Sequence, residues 1–193
     1  MSIRAPEEIN KCSTIELEQI LDQLFEPCRT LTNFLIPKIQ NHQSFSSYNE
    51  VLEYCRNNLM SLLNNYKECN YEIEKSELHK TLCKIVSAHP RLGVPKDKIS
   101  SLSKDSQNEQ KSLTEGDPNG ELAQKLKLLN DKYEEAFPGL IFVVFVNGRS
   151  RDQIMKIMNE RILNSTWINE VSIAFNEMVD IAFDRARKVN AKL

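Results

Sequence analysis

Apolar residues recur along most of this chain at strides of three and four, the spacing that keeps side chains on one face of an α-helix. Ile15, Leu17, Ile20, Leu21, Leu24 and Phe25 form the first stripe, behind Ser13 and Glu16 at capping-box spacing, and Pro27 ends it. A second helix is predicted up to about Pro37, carried by Leu31, Phe34 and Leu35, with a polar loop over Asn41 to Ser47 behind it. From Ser47 to about Tyr66 a long helix turns Val51, Leu52, Cys55, Leu59, Leu62 and Leu63 inward. Another starts at Ser76 and runs to Ala88, stopped by His89-Pro90. Arg91 to Lys98 reads as irregular, a helix spans roughly Ser103 to Leu113, and Thr114 to Gly120 is a loop. Glu121 to Phe137 is helical, with Leu122, Leu126, Leu129 and Tyr133 on one side, and Pro138-Gly139 breaks it. Leu140 to Val146 (LIFVVFV) departs from the helical stride and is predicted as one short extended buried segment. Helices over Ser150 to Leu163 and Ser165 to about Asn190 complete the chain. A lone strand makes no sheet, so the expected class is all-α. The expected architecture is a single-domain multi-helix bundle over residues 1–193 with one short extended buried segment.

Composition narrows this further. A chain of 193 residues buries a core without disulfides or metal. With 40% hydrophobic and 27% charged residues it falls in the globular range, and only 5 glycines and 7 prolines leave little turn chemistry for an all-β fold. A net charge of -2 offers no basic excess for a polyanion, so no nucleic acid partner is expected. The longest apolar run, Leu140 to Val146, is too short to span a bilayer, and Met1 to Lys11 lacks the apolar stretch of a secretory signal. No membrane partner is therefore expected. Five cysteines (Cys12, Cys28, Cys55, Cys69, Cys83) at wide spacing and without a CxxC pair read as free thiols of a reducing compartment. His42, His79 and His89 form no ligand pair with them at a recognised spacing, so no metal site is expected.

The informative positions are polar residues that interrupt apolar stripes. His89 continues the line of Leu82, Ile85 and Val86 at a helix end. The helix C-terminus there favours an imidazolium while burial opposes it, and a ring balanced between the two exchanges protons near neutral pH. Ser106, Glu109 and Gln110 share a face between Leu102 and Leu113. On the last helix Arg185 falls on the line of Ile168, Val171, Phe175, Met178 and Ala182. A buried guanidinium needs an anion or several acceptors; Glu109 in a structural ion pair, or a negatively charged ligand instead, is the expected partner. Each residue also has a structural reading. An inward histidine is most often a hydrogen-bonded core residue, and an inward arginine at a helix end most often snorkels or forms an ion pair. Ser106, Glu109 and Gln110, near Lys104 and Lys111, also fit a solvated face.

These residues carry a resemblance. Ala88-His89-Pro90, Leu102 to Gln110 (LSKDSQNEQ), Leu129-Asn130, Tyr133, Phe142 to Val146 (FVVFV), Glu160-Arg161 and Glu177 to Arg185 follow the order seen in a known family. Over about Leu78 to Arg187 the chain resembles the 2-oxo-4-hydroxy-4-carboxy-5-ureidoimidazoline (OHCU) decarboxylases of urate breakdown. The first part of the chain agrees only in helical character. The resemblance implies an all-helical fold, usually a homodimer, that uses no cofactor or metal and converts OHCU to S-allantoin with loss of CO2. It implies that His89 is the proton donor, with Pro90 beside it at the substrate. Ser106, Gln107, Asn108, Glu109 and Gln110 match the binding stretch, Glu109 being the essential carboxylate and Gln110 a hydrogen-bonding partner. Phe142, Val143, Val144, Phe145 and Val146 match the segment that lines the pocket with backbone groups, and Arg185 the arginine that holds the substrate.

Two departures stand out. Arg91 takes the place of a common acidic residue after His-Pro and adds positive charge near the site, and Phe137-Pro138-Gly139 replaces a Gly-Phe-Pro order. The terminal Ala191-Lys192-Leu193 is similar to the Ser-Lys-Leu address read by the peroxisomal import receptor. A peroxisomal location is therefore expected, and otherwise a cytoplasmic one; the same three residues also read as an ordinary helix end. Two other functions fit the helical pattern. One is a non-catalytic relative that binds a ligand or partner. The other is a helical adaptor without a pocket, which requires His89 and Arg185 to lie far apart.

Overall fold

A computed structural model describes residues 3–93 and 120–189. Among these residues the protein is all-α: a short 3-10 helix, Pro6–Lys11, and seven α-helices, with no strand. The helices are α1 (Thr14–Leu24), α2 (Arg29–Gln40), α3 (Tyr48–Glu68), α4 (Glu72–Val86), α5 (Glu121–Ala136), α6 (Arg151–Asn164) and α7 (Trp167–Lys188). The predicted helix over Ser103 to Leu113, most of the Thr114 to Gly120 loop and Ala191-Lys192-Leu193 lie outside the described residues.

Local chemistry sets most boundaries. Ser13 and Glu16 form the expected capping box: the Glu16 amide donates to Ser13 Oγ at 3.3 Å, and the Ser13 amide to Glu16 Oε2 at 2.9 Å. Ser150 and Gln153 do the same for α6, while Ser47 and Thr166 cap α3 and α7. Two boundaries differ from the sequence reading. The second helix does not stop at Pro37 but runs to Gln40, because Ile36 and Ile39 extend its buried face and one missing N–H is a small loss beside that burial. The fourth helix begins at Glu72 rather than Ser76, with Glu72 and Glu74 favouring the positive helix N-terminus.

The long helices α3 and α7 form the most extensive helix pair, and α4 packs on both. Val51, Leu52, Cys55, Leu59, Leu62 and Leu63 all lie in the core, as do Val171, Phe175, Met178 and Ala182. Arg56 ties α3 to α7, donating to Asn176 Oδ1 and Asp180 Oδ1, each at 2.7 Å. Helix α1 packs on α2 and α7, and α5 on α6. The cysteines are all free thiols, and burial pushes the Cys55 thiol up to about 12.

Leu140 to Val146 runs as an extended, non-helical segment through the core without pairing to a strand. Its buried backbone groups still need partners, and side chains from helices supply two. Arg161 donates to the Val143 carbonyl at 2.9 Å, and Glu177 accepts from the Phe145 amide at 2.6 Å. The entry is shaped by Gly139, whose φ of +85 lies in the left-handed region. A Cβ there would sit 2.6 Å from Cys83 Sγ on α4, so the backbone passes α4 at a distance only glycine allows.

Candidate active site at three helix ends

The ends of α1, α4 and α7 bring together three polar side chains buried among hydrocarbon. His89 comes from the turn after α4. That helix closes at Val86 rather than Ala88, since the residue before a proline is steered away from helical backbone. The His89 amide still bonds to the Val86 carbonyl at 3.3 Å, so the ring stays on the buried side with Ile85 and Val86. Arg185 comes from the last turn of α7, where a cation suits the helix dipole. Glu26 comes from the segment after α1, next to the buried Phe25. All three side chains are more than nine-tenths buried. Arg185 Nη2 meets Glu26 Oε1 at 2.5 Å, and both charges act on the His89 ring.

The ring itself behaves differently from the balanced imidazole expected at a helix end. Burial lowers its pKa from 6.5 to about 4; Glu26 pulls upward and Arg185 adds to the fall. Desolvation outweighs the helix terminus because the ring has left water almost completely. His89 is therefore neutral at neutral pH in the ligand-free protein. Its Nε2 is buried without a hydrogen-bond partner among the described residues.

The anion that meets Arg185 is Glu26, a residue that stripe analysis passed over. Glu26 lies beyond the helix, where three- and four-residue strides assign no face. The signal available was its place between Phe25, the last residue of the first apolar stripe, and the helix-terminating Pro27. The alternatives named for that role, Glu109 and a bound anion, are a different matter: Glu109, with Ser106, Gln107, Asn108 and Gln110, lies outside the described residues. The adaptor reading required His89 and Arg185 to be far apart, and they share this cluster instead.

A second buried cluster fixes the extended segment. Arg161 donates from Nε to Glu170 Oε2 at 2.8 Å, and the Tyr133 hydroxyl donates to the same oxygen at 2.5 Å. The Arg161 guanidinium carbon lies 4.4 Å from the centre of the Phe142 ring. Burial pushes the Tyr133 hydroxyl far above its ordinary range, which keeps it a donor. Glu170 is fully buried on α7, on a second stripe with Ala174 and Ile181 beside the one containing Arg185. Phe142, Val143, Val144 and Val146 are buried and Phe145 is half-buried. Pro90 is half-buried beside His89. Arg91 turns toward α5, with Asp131 at 3.2 Å and Glu134 at 2.5 Å, so two carboxylates meet the positive charge expected near the site.

The arrangement is that of a helical bundle with an imidazole, a guanidinium and a carboxylate enclosed where helices end, a composition suited to gripping a small anion and moving a proton. The chain belongs to the OHCU decarboxylase family, whose model matches residues 10–187 of 193. The match takes in the N-terminal helices, beyond the reach of the motif resemblance. The family's chemistry is decarboxylation in urate degradation. No curated protein matches the chain at a significant level.

Proposed function

We propose that the protein decarboxylates OHCU to S-allantoin without a cofactor, with His89 as the proton donor. The observation that carries this is the enclosure of His89 with Arg185 in a family member, on elements more than ninety residues apart in sequence. Loss of CO2 from C4 leaves an electron pair on carbon, which the neighbouring imidazoline C=N and C=O delocalise, so the substrate acts as its own electron sink. The overall reaction takes up one proton. The imidazolium gives that proton to the adjacent ureido-bearing carbon, C5, from one face, which sets the chirality, while the C4 hydroxyl becomes the carbonyl as its own proton passes to ring nitrogen; the neutral imidazole is recharged from solvent.

A neutral resting His89 fits this sequence of events. The substrate is an anion, and its carboxylate beside Arg185 offsets the charge that helps depress the imidazole. Binding therefore raises the ring's proton affinity when the proton is needed. CO2 leaves uncharged, so the negative charge remains on the delocalised carbanion until protonation. Arg185 offers paired donors to substrate oxygens. Glu109 and Gln110, with Ser106, Gln107 and Asn108, grip the ureido and ring groups, and backbone groups of Phe142 to Val146 meet the ring edge.

The test follows freshly generated OHCU by circular dichroism with and without the protein. His89→Ala and Glu109→Ala should each remove the enzymatic acceleration while the far-ultraviolet helical signal is retained. Full activity in both variants would overturn the assignment. The resemblance also supports a homodimer, to be checked from the solution mass. Ala191-Lys192-Leu193 supports peroxisomal import, and removing Leu193 should disperse a tagged protein into the cytosol; unchanged localisation counts against the address.

A further inference from the structure

Three buried polar groups occupy one site, and the reaction above uses two of them. Glu26 is the third. A carboxylate this buried beside a catalytic ring is costly to keep unless its charge is used. It is fixed by position as well as by charge, since the extended backbone at Phe25, with ψ of 178, ends α1 immediately before it. Its Oε1 lies 2.5 Å from Arg185 Nη2, which directs one edge of a planar guanidinium whose other donors have fixed directions. We propose that Glu26 is a positioning residue of the decarboxylation site, orienting Arg185 and keeping a negative charge beside the His89 ring while the proton is transferred. This rests on the decarboxylase reading for its kinetic consequences, but not for its electrostatic ones.

The charged groups that act on the ring among the described residues are Glu26, from the end of α1, and Arg185, from α7. They pull in opposite directions. With Glu26 neutralised, the imidazole loses the charge that opposes Arg185 among the described residues, and the protonated form becomes harder to reach. At the same time the site gains net positive charge toward an anionic substrate. Proton donation and substrate binding should then change in opposite senses. Glutamine keeps an oxygen that accepts from Arg185 Nη2, so the orienting contact survives while the charge is lost; a carboxylate that only held the helix ends together would not split the two.

The experiment compares wild type, Glu26→Gln and Glu26→Asp for OHCU decay across pH, with folding checked by circular dichroism. Glu26→Gln should lower kcat at least tenfold while KM stays level or falls. The alkaline limb of its kcat profile should move to lower pH, because that limb reports the loss of the imidazolium in the complex. Glu26→Asp keeps the charge and should leave the limb in place with a smaller loss of kcat. If Glu26→Gln does not fold, the aspartate variant decides alone: a displaced limb there refutes the charge role. A folded Glu26→Gln with unchanged kcat and profile, or with raised KM and an unmoved limb, overturns the proposal. If wild type shows no decarboxylation, the function reading fails separately. The nuclear magnetic resonance titration of the His89 ring then tests Glu26, whose replacement by glutamine must move it to lower pH.

Discussion

The state of one imidazole shows how far a residue's surroundings override its intrinsic chemistry. A solvated histidine at a helix C-terminus gains protons more readily, because unsatisfied carbonyls point at it. In this protein the ring at that helix end is buried, with Arg185 adding to the effect of burial, and His89 is held neutral to about pH 4. This has a consequence for stability. The unfolded chain binds a proton at His89 near pH 6.5, while the folded protein does not until about 4. Between those values the unfolded state carries more protons, so stability from this group is complete above pH 6.5 and is lost as pH falls toward 4. The full term is on the order of 3 kcal/mol. Urea unfolding at pH 7 and pH 5 should show a drop in wild type that is clearly smaller in His89→Gln. Parallel drops in the two proteins would remove His89 as the cause.

At the scale of elements, the extended segment depends on a close approach between unlike neighbours. Pro138-Gly139 ends α5's trajectory, and the chain turns toward α4 with Gly139 at positive φ. Two penalties meet in Gly139→Ala: a left-handed backbone for an L-residue, worth about 1–3 kcal/mol, and a Cβ placed 2.6 Å from Cys83 Sγ. The double variant Gly139→Ala/Cys83→Ala should recover the steric part and leave the backbone part. Thermal or urea unfolding of the two variants measures this partition. No recovery in the double variant would show that the thiol yields without cost. The turn order Phe137-Pro138-Gly139 is therefore a packing solution against α4, which a comparison of motifs registers only as a departure.

Across the whole molecule, buried charge ties together helices that share little sequence proximity. Arg161 of α6, Glu170 of α7 and Tyr133 of α5 converge under the Val143 carbonyl. The Glu170 side chain is fully buried and that of Arg161 is 10% exposed, so neither charge has water to fall back on. Removing one partner of such a pair strands the other, at a cost of about 3–5 kcal/mol. Glu170→Gln should lose stability on that scale by chemical denaturation, and Tyr133→Phe only about 1 kcal/mol, the net value of one hydrogen bond. A Glu170→Gln loss below about 1 kcal/mol would mean that the network orders the segment without stabilising the fold.

Periodicity and capping are local, and what they dictate was legible without coordinates. The stripes of α3 and α7, that of α1 apart from Ile15, which is exposed, the Ser13 capping box, the Pro138-Gly139 break and the all-α class follow from neighbours within a few residues of each other. The inward placement of His89 and Arg185 was legible for the same reason: each continues a stripe. Tertiary structure alone decided their company. Glu26 and Glu170 meet their arginines across 159 and 9 residues of chain, the first from outside any helix and the second from a parallel stripe. Whether a buried imidazole rests charged or neutral likewise depends on how completely distant helices exclude water. A sequence records which side chains face inward; only the packed fold sets what they face.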